Sequence, residues 1–103
     1  NQHAPGAKMD GGKNRLGLVL GDFSLAMQGI GEVGTFGAKK YSDRGWLQVE
    51  GGKERYTDAL LRHLFAMGAG EDVDRDSGLH HCKHLAWNAA AIAELSLKEE
   101  KRG

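Results

Sequence analysis

Apolar residues recur at helical spacing in three stretches of the chain, and polar chemistry gathers beside two of them. Across 53–68, Tyr56, Leu60, Leu64 and Met67 fall on one flank of a 100° wheel. Leu61 sits at its edge and His63 on the same apolar side, while Arg55, Asp58 and Arg62 gather opposite, Asp58 and Arg62 one turn apart. Gly68-Ala69-Gly70 supplies a left-handed stop. After the acidic loop 71–78, a second helix is expected from Asp76 or Ser77 as N-cap to about Lys98. Its core-facing stripe carries Cys82, Leu85, Ala89 and Ile92, continues into His81, Asn88 and His84, and ends at Leu95. Trp87, His80, Lys83 and Glu94 are expected on the other side.

The third pattern starts at Asp22, a good N-cap, and places Phe23, Ala26, Met27, Ile30, Val33 and Gly34 at helical spacing to about Tyr41. Gly29, Gly31, Gly34 and Gly37 each cost about 1 kcal/mol against Ala in such a helix. Either another helix approaches closely at Gly34 and Gly37, or the helix breaks near Gly29. The apolar run 16–20 is too short to type, 42–46 is turn-rich, and 48–52 is a loop. Residues 1–12 hold the only Pro and no periodicity and read as a flexible arm, 13–98 as a single helical domain, and 99–103 as a frayed end. The expectation is an all-α bundle of three main helices. Three helices, one of them Gly-rich, make a thin core for 103 residues, so a homo-oligomer is expected, with a neighbouring chain able to complete the site.

A formal net charge of zero removes any global electrostatic case for binding nucleic acid or a membrane surface. One cysteine excludes an intrachain disulfide, and Cys82 is expected as a small buried hydrophobe. No apolar run reaches membrane-span length and no signal peptide is visible, so a cytoplasmic location is expected.

The chemistry concentrates between Arg55 and Asn88. His81, His84 and Asn88 lie at i, i+3 and i+7 beside the core stripe, and His63 lies on the apolar side of the partner helix. Buried polar groups need partners, so these residues imply a shared ligand, a shared water network or a site. The plain alternative is a scaffold whose polar residues satisfy one another. Glu71-x-x-Asp74 offers hard oxygens suited to Mg²⁺ or Mn²⁺, and equally decorates a helix start. Glu32 is either a further ligand or a solvated carboxylate. His81-x-x-His84 is thin evidence for zinc. Lys39, Lys40, Tyr41 and Trp46 combine cations for phosphate with rings for a base, although Trp46 can instead plug the bundle. Lys8, Lys13 and Arg15 form a spaced basic cluster whose value depends on the arm folding over the site. Phosphate loops, dinucleotide fingerprints, HExxH and nucleophile elbows are absent from the sequence.

Taken together, Lys13-x-Arg15, Gly37-Ala38-Lys39-Lys40-Tyr41, Trp46, Arg55-Tyr56-x-Asp58-Ala59-Leu60-Leu61-Arg62-His63, Gly70-Glu71 and Asp76-Ser77-Gly78-Leu79-x-His81-x-x-His84-x-x-x-Asn88 form a pattern. It resembles the phage-borne N-terminal domain of dATP/dGTP diphosphohydrolases, over about residues 12–97. That family is related by name and activity to the all-α MazG-type pyrophosphohydrolases, in which helix carboxylates hold Mg²⁺. The MazG pattern E-E-x-x-E is missing here; Glu50 and Glu54 are too widely spaced, and only Glu71-x-x-Asp74 echoes the later E-x-x-D. The resemblance therefore supports nucleotide binding more strongly than that metal chemistry.

What it implies is hydrolysis of a purine (deoxy)nucleoside triphosphate to monophosphate and pyrophosphate, in the cytoplasm of an infected or lysogenic bacterium. Glu71, Asp74 and Glu32 are the expected ligands of Mg²⁺ (or Mn²⁺). Asp58, His63, His81 and His84 are the catalytic candidates. Lys13, Arg15, Lys39, Lys40, Arg55 and Arg62 are expected at phosphates, Tyr41 and Trp46 as stacking rings, and Asn88 orienting a His or reading the base. The rival expectation is a non-catalytic protein that sequesters a nucleotide, such as a cyclic defence signal.

Overall fold

The computed structural model describes residues 11–103; Lys8 and nearly all of the expected arm lie outside the described residues. The fold is all-α. Helices α1 (Leu16–Gly21), α2 (Ser24–Lys40), α3 (Gly52–Gly68) and α4 (His81–Arg102) follow one another, with a 3-10 turn at Gly45–Gln48 before α3. The three expected helices are the three long ones, and the apolar run at 16–20 forms the short fourth.

Several boundaries move for local reasons. Asp22 does not cap α2: it closes α1 with its N–H on the Leu20 and Val19 carbonyls, and α2 starts behind Phe23 without a side-chain cap. The stop after α3 is as expected, with Gly70 at φ 92°. Glu71 N–H donates to Ala66 O at 2.9 Å and Gly70 N–H to Met67 O at 2.9 Å, a paired closure that aims Glu71 back at the helix ends. Neither Asp76 nor Ser77 caps α4. The loop before it is pinned by Asp74 N–H on Leu79 O at 2.8 Å and Gly78 N–H on Asp74 O at 2.8 Å. The helix starts only at His81, where the His80 ring accepts from Cys82 N–H at 2.9 Å. At the other end α4 stays helical to Arg102, past the expected stop near Lys98.

Helix α4 is the centre of the bundle, with α3 packed on one side and α2 on the other. Helix α2 packs on a side of α4 that was expected to face outward, and this corrects the expected orientation of Trp87 and Lys83, while Glu94 stays exposed. Both point at α2: a Cβ on Gly34 would lie 3.4 Å from Trp87 Nε1, and one on Gly29 would lie 2.8 Å from Lys83 Cγ. Close approach, rather than a break, therefore explains Gly29 and Gly34, and α2 runs through both. At Gly31 and Gly37 an added methyl would meet nothing within 4 Å, so contact does not explain them. Gly31→Ala is accordingly expected to stabilise the chain by about 0.5–1 kcal/mol, read as a higher thermal midpoint. A lower midpoint would show that a contact absent from the single chain uses that face.

The stripe buried on α4 is His81, His84, Asn88 and Ala91. Cys82 is exposed, not buried, and so is Ala89, because the axis of contact lies one residue round from the apolar stripe. Trp46, Tyr56 and Trp87 form an aromatic cluster, edge to face at 5.4–6.2 Å between ring centres. Tyr56 Oη donates to Trp46 O at 2.6 Å, tying the 3-10 turn to α3. Leu16, Leu18, Phe23, Leu25 and Phe65 stay more than half exposed. Among the described residues no helix is long and apolar enough to cross a membrane.

Candidate functional site

Between α2 and α3, over α4, lies a cleft of about 630 Å³. Lys40, Tyr41 and Phe36 reach it from α2 and the residue after it; Arg55, Tyr56, Arg62 and His63 from α3; His84, Trp87 and Asn88 from α4. Arg44, Trp46, Asp74 and Asp76, from the segments between the helices, complete its lining. Cations and histidines thus converge on one space, although they come from four separate segments.

At the α3–α4 end the histidines touch. The His63 and His84 rings stack at 4.3 Å and 7°, and His63 Nδ1 lies 2.7 Å from His81 Nδ1. On its far side His81 Nε2 lies 3.1 Å from Glu71 Oε2. A carboxylate only accepts, so His81 Nε2 carries a proton. In the neutral ring that leaves a lone pair on Nδ1, aimed at His63.

A second chain of bonds starts at Asp74. Its Oδ2 accepts from both the N–H and the hydroxyl of Ser77, each at 2.9 Å. Ser77 Oγ lies 2.6 Å from His84 Nε2 and accepts from Leu79 N–H at 3.1 Å. The carboxylate is the stronger acceptor of the one hydroxyl proton. His84 therefore donates from Nε2 and keeps its basic lone pair on Nδ1. Asn88 fixes the backbone beneath, donating from Nδ2 to His84 O at 2.8 Å.

Burial holds His63 below the ordinary histidine value, helped by His84, against the pull of Asp74. It lowers His84 likewise, again opposed by Asp74. Burial pushes Asp74 up, but the two Ser77 hydrogen bonds and the neighbouring imidazoles outweigh it and leave the carboxyl low. Folding thus excludes protons that the unfolded histidines accept. Stability is full above the unfolded value of 6.5 and is lost as pH falls through the depressed folded values. The thermal midpoint in chelator is expected to drop from about pH 7 to about pH 5. His63→Asn should remove part of that drop, and an unchanged pH profile in the variant would contradict it.

Of the residues expected at the site, Lys40, Tyr41, Trp46, Arg55, Arg62, His63, Asp74, His84 and Asn88 line the cleft. His81 and Glu71 lie behind His63. Lys13, Arg15, Lys39 and Asp58 are exposed and do not line it. Glu32 is drawn away by Lys83, 2.6 Å from its carboxylate, across the α2–α4 contact. Lys40 is held at 2.6 Å by Asp76, which raises its pKa. Trp46 belongs to the aromatic packing rather than standing free. Ser77 and Arg44 were missed by sequence reasoning; Ser77 reads as a cap in an acidic loop, and only the fold brings it beneath His84.

Each residue of the expected oxygen-rich Mg²⁺ set has another partner within the chain: Glu32 has Lys83, Glu71 has His81 and Asp74 has Ser77. Mg²⁺ takes octahedral oxygen ligands. Among the described residues, the group close enough to share an ion is His63, Asp74 and His81, with ligand atoms all within 4.8 Å of one another.

The sequence pattern of the family described as "dATP/dGTP diphosphohydrolase, N-terminal" matches residues 3–102. The chain belongs to that family. It is 35% identical over 81 residues to a "dATP/dGTP diphosphohydrolase" of Salmonella phage PMBT28. That alignment covers 79% of the chain but 26% of the phage protein, so the chain spans about a quarter of its relative. No solved structure matches the chain. The match takes in both walls and the floor of the cleft.

Proposed function

We propose that the chain binds a purine (deoxy)nucleoside triphosphate in the cleft and hydrolyses it to monophosphate and pyrophosphate. The observation that carries this reading is the convergence of Lys40, Arg44, Arg55 and Arg62 on the same cleft as His84. Planar guanidinium groups match phosphate oxygens two bonds at a time, which suits Arg55 and Arg62 to the triphosphate. Tyr41, exposed at the rim, offers its ring to the base. The purine specificity follows from the names of the family and of its phage relative, which also favour a phage protein acting in the host cytoplasm.

In this reading His84 Nδ1 takes the proton of the attacking water. The new bond joins water oxygen to the α-phosphorus, the bond to the β-bridging oxygen breaks, and pyrophosphate leaves with the electron pair. Ser77 and Asp74 hold the His84 tautomer that this needs. No step is assigned to Mg²⁺.

The thin carboxylate set favours a second reading, in which the cleft holds a nucleotide, including a cyclic one, without cutting it. Incubation with dGTP, dATP and cyclic dinucleotides, with and without Mg²⁺ or Mn²⁺, followed by chromatography of heat-released products, separates the two. Monophosphate with pyrophosphate supports hydrolysis; intact ligand at stoichiometric yield supports sequestration and overturns it.

The exposed Leu16, Leu18, Phe23 and Leu25 favour the homo-oligomer, since patches of this kind are uncommon on monomers. Light scattering at micromolar concentration tests it, and a monomer counts against it.

A further inference from the structure

We propose that His63, His81 and Asp74 form a binding site for a borderline transition-metal dication of the Mn²⁺–Zn²⁺ series, which does not accept Mg²⁺, with Glu71 as the outer carboxylate that orients His81. The inference stands whether or not a nucleotide is cleaved.

Three features of the donor set carry it. First, two imidazole nitrogens and one carboxylate oxygen lie within 4.8 Å of one another, where a single ion reaches all three. Imidazole suits transition metals, whereas Mg²⁺ prefers oxygen and water. Secondly, His81 is already arranged as a ligand. Its Nε2–H is committed to Glu71 at 3.1 Å, which leaves the Nδ1 pair on the side of His63. A carboxylate on the remote nitrogen is the usual outer partner of a metal-bound histidine. Thirdly, both Ser77 bonds to Asp74 fall on Oδ2, which leaves Oδ1 for a cation.

The close His63–His81 contact fits the same site. One proton now bridges nitrogens 2.7 Å apart. Two nitrogens on one tetrahedral ion at about 2.0–2.1 Å lie roughly 3.3 Å apart, so a separation of about 0.6 Å replaces the proton by the ion. The displaced proton moves from Nδ1 of His63 to its Nε2, and no ligand changes net charge.

The test is titration of the EDTA-dialysed chain with Co²⁺, following visible absorption and heat. One Co²⁺ per chain is expected, with d–d bands that a hundredfold excess of Mg²⁺ leaves in place and that Zn²⁺ removes. Asp74→Asn and His81→Asn are expected to weaken binding at least a hundredfold, and Glu71→Gln about 10–100-fold with the bands retained. Circular dichroism identifies any variant that fails to fold. The unmutated chain then supplies the result by itself, through paramagnetically shifted N–H proton signals from two coordinated imidazoles. No Co²⁺ uptake, displacement of Co²⁺ by Mg²⁺, absence of those two signals, or folded Asp74 and His81 variants that bind as tightly as the parent would each overturn the proposal and leave the cluster as an internal hydrogen-bond network.

Discussion

Replacing His84 by Ala is expected to lower turnover of dGTP or dATP by about 10²–10⁴-fold, the usual contribution of a general base. The effect should fall on kcat with KM little changed, because the cations of the cleft remain. Asn is the better first substitution for folding, since His84 is buried and stacked on His63. Ser77→Ala should lower kcat less and shift the acid limb of the pH profile, because it releases the tautomer without removing the base. Steady-state kinetics on folded variants decide this: unchanged turnover in His84→Asn removes His84 from the reaction. Unchanged nucleotide retention together with no turnover in the parent chain would favour sequestration instead.

The largest stability loss is expected from Trp87→Ala. Trp87 touches Trp46 and Tyr56 edge-on at 5.5 Å and 5.4 Å between ring centres and backs onto Gly34 of α2. It is thus where α2, α3 and the 3-10 turn meet on α4. Truncating it removes the ring's burial and two aromatic contacts and leaves a cavity, a loss of about 2–4 kcal/mol for a half-buried ring. At roughly 4–8 °C per kcal/mol for a domain of this size, the thermal midpoint should fall on the order of 10–25 °C. Trp87→Phe should recover much of it. A small change in the alanine variant would mean that α2 is held by something other than this cluster, such as a second chain on the exposed leucines.

Trp87 also shows where reading the sequence stops. A wheel ranks positions by residue type, and the apolar stripe through Cys82 and Ala89 outweighed a ring standing beside Lys83 and Glu94. The packed helix reverses that order, because α4 is gripped from two sides and its contact axis passes through His81, His84, Asn88 and Ala91. The partner of Glu32 was illegible for a related reason: nothing local in α2 says that Lys83, 51 residues on, will claim its carboxylate.

Only the fold turned Arg55 and Arg62, which the helical wheel set opposite His63, onto the same cleft as His63 and His84. The sequence by itself determined the all-α class, the three long helices, the glycine stop at Gly70 and the family. These are local or periodic properties, fixed by residues a few positions apart. Only the tertiary structure decided that Glu71 serves His81, that Ser77 joins Asp74 to His84, and that Gly29 and Gly34 answer to Lys83 and Trp87. Those choices depend on the angle at which α2 and α3 meet α4 and on how the loop before α4 closes, and both are set by contacts between residues far apart in the chain.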